Sequence, residues 1–176
     1  MKKLFLAAAV ACAMALTAGS FAVAPAMAQA VNAELLPQME ADVEALLVEN
    51  ASDAAAFEAA IEAYVTGADD PVTAGQAVIN VLFNPRDDAV RLLLAENPGL
   101  KEAGGRGLGA AIAVLGLTNP EAAAILQALA EATGDPVFQA AVLEGTETRT
   151  ASLRAASAAG GDTSTDSTPE TPVSRN

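Results

Sequence analysis

Histidine and tryptophan are absent from this chain, and cysteine occurs once, at Cys12. Without an imidazole or a second thiol, the usual zinc, copper and haem ligand sets are missing, and so are the His- and Cys-based nucleophilic machineries. No disulfide can brace the fold. Basic residues are also scarce, nine against twenty-two Asp and Glu. Phosphate contacts need clustered Lys and Arg, so nucleic acid is excluded as a partner, and an anionic membrane surface is disfavoured on the same ground. Aromatic residues make up 3% of the chain.

No apolar run reaches the ~20 residues of a membrane span. The strongest one, Leu4 to Leu16, is followed by Thr17, Gly19 and Ser20. It follows Lys2 and Lys3 and precedes Ala26-Met27-Ala28, which is the charged, apolar and small-x-small order of a secretory signal peptide. We therefore expect residues 1–28 to be a signal peptide, a mature chain starting at Gln29, and a periplasmic or secreted location with no stable membrane span after cleavage. Cys12 lies inside the apolar region after Ala9-Val10-Ala11, without the leucine usual at a lipidated cysteine, and reads as a small apolar residue. Removal of residues 1–28 takes away two basic residues and no acids, leaving seven basic against twenty-two acidic and a net charge of −15.

What the sequence has in quantity is alanine, acids and a repeated pair. Five of its nine prolines directly follow Asn or Asp, at Asp70-Pro71, Asn84-Pro85, Asn97-Pro98, Asn119-Pro120 and Asp135-Pro136. An Asx side chain at the N-cap accepts from first-turn N–H groups, and proline at N1 lacks only an N–H that would have had no helical partner. Proline also pushes the preceding residue out of the α region, as an N-cap requires. Each pair is read as a helix start.

Helical spacing follows the pairs. Ala122, Ile125, Leu126, Leu129 and Ala130 form an i, i+3, i+4, i+7, i+8 stripe. Ala89, Val90, Leu93 and Leu94 do the same after Asn84, as do Val72, Val78, Ile79, Leu82 and Phe83 after Asp70. Upstream, one stripe runs through Leu35, Leu36, Met39, Val43, Leu46 and Leu47, and a second through Phe57, Ile61, Tyr64 and Val65, the latter with Ser52 as its expected cap and Gly67 as its end. After Asp135-Pro136 a short helix with Val137, Phe138, Ala141 and Val142 is expected to stop at Gly145. No segment alternates with the period of a strand. The fold class is all-α, a compact array of six or seven short antiparallel-packed helices over residues 29–148, with a short superhelical stack as the second architecture. Unequal intervals between the pairs argue against a repeat solenoid.

The segment "EAGGRGLGAAIAVLGL" holds Gly105, Gly107 and Ala110 in G-x-G-x-x-A order. A dinucleotide fingerprint follows a strand, and none is expected, so these glycines read instead as a close-packing face, with Gly105, Gly109 and Ala113 four residues apart. Asp69-Asp70 and Asp87-Asp88 are paired acids at expected helix starts, where capping and the helix dipole account for them. Residues 149–176, rich in Ser, Thr, Gly and Pro, are expected to be a flexible tail. Within it Asp162, Ser164, Asp166 and Glu170 resemble a calcium loop but lack its glycine and closing glutamate.

The sequence thus assigns no catalytic, cofactor-binding or metal residue and implies no cofactor. Two functions remain: a non-enzymatic interaction or structural module engaging a protein partner in the cell envelope, or a soluble carrier holding a small apolar ligand between helices.

Overall fold

The computed structural model describes residues 31 to 159. The expected signal peptide, the start at Gln29 and the acidic pattern from Asp162 to Glu170 lie outside them. Among the described residues there are seven helices and no strand: α1 (Leu36–Glu49), α2 (Ala54–Gly67), α3 (Pro71–Phe83), α4 (Asp88–Glu96), α5 (Gly99–Thr118), α6 (Pro120–Ala132) and α7 (Pro136–Ala159). The all-α reading is correct, and none of these helices is long and apolar enough to cross a membrane.

Three Asx-Pro pairs start helices as expected. Asp70 accepts from the Thr73 N–H at 3.0 Å, Asn119 from Ala122 at 3.2 Å, and Asp135 from Val137 and Phe138 at 3.0 Å each. The other two do not. Asn84 closes α3, its N–H donating to the Asn80 carbonyl at 2.6 Å, and α4 begins later, capped by Asp87, which accepts from Ala89 at 2.7 Å. The reason lies in α1. Glu44 accepts from the backbone N–H of Arg86 at 3.1 Å, and the Arg86 guanidinium pairs with Glu40, so the corner is held by another helix in a non-helical path. Asn97 likewise serves the end of α4, its side-chain amide donating to the Leu93 carbonyl at 3.1 Å. Ser52 does not cap α2 either, because Asp53 accepts from both Ala55 and Ala56.

Contrary to the antiparallel packing expected, some neighbouring helices run parallel. Asn32 donates to Thr73 at the start of α3 and Asn80 donates to Glu40, so α1 and α3 run parallel while α2 returns between them. The core is built on α3 and α5, and Phe57, Phe138, Leu108 and Leu126 are wholly buried around them. Glycine in a helix interior costs ~1 kcal/mol relative to alanine, yet α5 buries four of them. Their return is proximity. A Cβ on Gly107 would overlap the Glu58 carbonyl oxygen of α2, and one on Gly109 would overlap the Val142 carbonyl oxygen of α7. On the facing helix a Cβ on Gly145 would overlap the Arg106 carbonyl.

That last contact corrects the C-terminal boundary. Gly145 is buried in the interior of α7 and ends nothing; the helix continues through residues 149 to 159, which the sequence reading had placed in the tail. Gly145 lacks a side chain because α5 is there, and Thr146 reinforces the contact by donating its hydroxyl to the Gly109 carbonyl at 3.0 Å. Arg149, one turn on, pairs with Glu62 of α2 at 2.8 Å.

Candidate functional site

Most of the described residues singled out by sequence for possible chemistry serve the structure, while Asp69 is exposed beside Asp70. Gly105, Gly107 and Ala110 sit inside α5, buried, where backbone N–H groups point along the helix and cannot cradle a phosphate. Asp70 and Asp87 are caps, and Asp88 pairs with Arg91 at 2.5 Å. No three acidic side chains among the described residues are grouped to hold a metal ion.

One buried carboxylate was not foreseen. Glu40 is 4% exposed on α1; it accepts from Asn80 Nδ2 at 2.7 Å and faces the Arg86 guanidinium, and Asn80 in turn accepts from Gln76 at 2.7 Å. This chain joins α1, α3 and the α3–α4 corner. Burying a charge is costly unless it is paired and hydrogen-bonded, and here each carboxylate oxygen faces a partner. With its atoms used this way, Glu40 is a structural clamp. The phenol of Tyr64, donating to the Met39 carbonyl at 3.3 Å, is similarly structural: burial, with the Asp42 charge second, pushes its pKa up to about 12.

A large open concavity lies elsewhere. Contacts between α5 and α7 advance together, Gly105 with Phe138 and Ala141, then Gly109 with Val142 and Thr146, so these two helices run parallel. Between them in sequence, α6 returns, entered through Asn119-Pro120 and left through Gly134, whose φ of 67° lets the chain reverse before Asp135 caps α7. The first half of α7 is sealed onto α5. The second half is not, since no residue from Thr146 to Ser157 is fully buried.

A groove therefore opens with α5 as its floor and α6 and α7 as its walls. Its wider part, about 690 Å³, has Ala113 and Gly116 on the floor, Ala123 and Gln127 on α6, and Thr150, Leu153 and Arg154 on α7. A narrower part of about 220 Å³ continues past Ile112, Gln127 and Thr146 toward Val142 and Leu143. Leu117, 74% exposed, stands at the rim. The lining is mainly apolar, with hydroxyls and the Arg154 guanidinium at the wide end and Glu131, Gln127 and Gln139 along the narrow part.

That guanidinium is distinctive in its surroundings. Arg86, Arg91, Lys101, Arg106 and Arg149 each pair with an acid. Among the described residues Arg154 pairs with none. Small floor residues, two diverging walls and a cation at the mouth make a site suited to reversible binding. No family model matches the chain, and neither a curated protein nor a solved structure is detectably similar to it.

Proposed function

We propose that the chain is an exported, non-enzymatic binding protein of the cell envelope, and that its ligand lies in the groove on α5 between α6 and α7. The proposal takes residues 1–28 as a cleaved signal peptide and the protein as periplasmic or secreted. Of the two functions expected from sequence, the carrier of a small apolar ligand is the one the geometry favours. The observation that carries it is the groove itself, a mainly apolar trough within the ~300–1,000 Å³ of ligand clefts, with a few polar groups along it.

The interaction reading relied on an acidic face offered to a protein partner. Many of the acids that would form it have partners within the chain. Asp53, Asp70, Asp87 and Asp135 cap helices, and Glu40, Glu58 and Glu62 pair with arginines. Where the glycine contacts bring the backbones of α2, α5 and α7 together, the space between those helices is filled.

The test is titration of the chain from Gln29 to Asn176 with dodecanol, a neutral single-chain probe, beside an Ala124→Trp variant. Ala124 lines the groove on an exposed position of α6, so the indole should fill the trough while the helical circular dichroism spectrum is retained. Saturable binding of dodecanol that the variant loses supports the carrier. No binding, or binding that the tryptophan leaves unchanged, removes the groove from the account.

A further inference from the structure

We propose that the groove's ligand is a free single-chain carboxylate amphiphile, a long-chain fatty acid, with its carboxylate on Arg154 and its alkyl chain running along α5 toward Val142. This rests on the carrier reading and specifies its ligand. Charge is the first argument. Outside residues 1–28 the chain carries a net charge of −15, and the five cations named above are neutralised by local acids, so an anion would find few attractive positions on this surface. Arg154 is the exception, and it lines the wide end of the apolar groove.

Its planar guanidinium suits a carboxylate, which it can meet with two parallel N–H groups. Thr150, one turn earlier on the same wall, brings a hydroxyl to the same end. The arginine stem meanwhile covers apolar surface and adds to the wall.

Length is the second argument. From Arg154 back to Val142 the α7 wall spans ~18 Å at 1.5 Å per residue. Carbon–carbon single bonds in a zigzag advance roughly 1.3 Å each, so about fourteen of them fill that distance. The net negative charge keeps the protein off an anionic bilayer, which favours a free fatty acid over a membrane lipid.

Isothermal titration of the chain from Gln29 to Asn176 with dodecanoate and with dodecanol, both below their aggregation limits, separates head from tail. Dodecanoate should bind one to one and at least tenfold more tightly than dodecanol. Arg154→Gln should remove that tenfold preference and leave dodecanol binding unchanged, Arg154→Lys should keep part of it, and Arg91→Gln, a control at an exposed arginine on α4, should keep all of it. Higher salt should weaken dodecanoate alone. Equal affinity for the acid and the alcohol, or an Arg154→Gln protein that still prefers the acid, overturns the proposal while leaving the carrier reading in place. If neither probe binds, the carrier reading itself falls. Co-sedimentation with phosphatidylglycerol vesicles that depends on Arg154 would also overturn it, by making the anion a lipid headgroup, as would dodecanoate failing to compete with an amphipathic peptide captured by the same groove.

Discussion

The two halves of α7 are continuous in backbone and opposite in environment. From Pro136 to Gly145 the helix buries Phe138, Ala141, Val142 and Gly145 against α5. From Thr146 to Ser157 it buries nothing fully and forms the wall of an open groove. The difference follows from what α5 offers along its length. Its Gly105 admits the Phe138 and Ala141 side chains and its Gly109 the α7 backbone, whereas beside Gly116, two turns after Gly109, a Cβ would meet nothing within 4 Å. Glycine at both positions has the same intrinsic helix cost, but only the earlier ones are offset by a neighbour. Close packing at one end and spare room at the other are properties of the same pair of helices.

The comparison can be broken most forcefully at its aromatic anchor. Phe138 is fully buried and packs edge-on to Phe83 with ring centroids 5.2 Å apart, so Phe138→Ala should cost ~3–5 kcal/mol in a denaturant titration. Leu153→Ala, in the half-buried wall, should cost well under that. Next come the glycines. Gly109→Ala drives a methyl into the Val142 carbonyl and should destabilise by ~1–3 kcal/mol or more, while Gly116→Ala should stabilise by ~0.5–1 kcal/mol because only helix propensity changes. Opposite signs for one substitution at two sites on one helix would be hard to obtain from any other packing.

Helix starts provide a smaller contrast. Asn119→Ala removes an acceptor from the Ala122 N–H and should cost ~0.5–2 kcal/mol by thermal melting, whereas Asn84→Ala, whose side chain caps no helix start, should cost less. The smallest effect lies away from α7 and depends on pH. Because the Tyr64 phenol is held neutral up to about 12 from an ordinary value of 10.0, its contribution to stability is complete below pH 10 and lost as pH rises from about 10 to about 12. Tyr64→Phe should flatten that part of the alkaline decline and change nothing below it.

Helix count and half of the expected starts were legible because they depend on local chemistry. Apolar spacing, an Asx oxygen and a proline act over one or two turns, and at Asp70, Asn119 and Asp135 nothing distant competes. Asn84 failed as a start because Glu40 and Glu44, some forty residues earlier, hold the following residues, and no local pattern announces such a contact. Gly145 misled in another way. A glycine near the end of an apolar stripe has two physical readings, a cap and a close approach, and only the position of the Arg106 backbone decides between them. The continuation of α7 had a faint signal in Val142, Thr146, Arg149 and Leu153 at helical spacing, masked by a polar composition that resembles a tail. The groove had no signal at all. It arises from where α6 and α7 diverge over α5, and its lining residues look in sequence like any alanine-rich surface.

The central claim, that one half of α7 belongs to the core and the other is a free wall of a binding groove, is tested most directly by amide hydrogen exchange resolved along that helix. In the unliganded protein the amides of residues 140 to 146 should exchange only with global unfolding, and those of residues 150 to 157 much faster, through local opening. Adding dodecanol should slow the second group and leave the first unchanged. Uniform protection from 140 to 157, or slowing spread evenly over both groups, would contradict the division of the helix and the groove built on it.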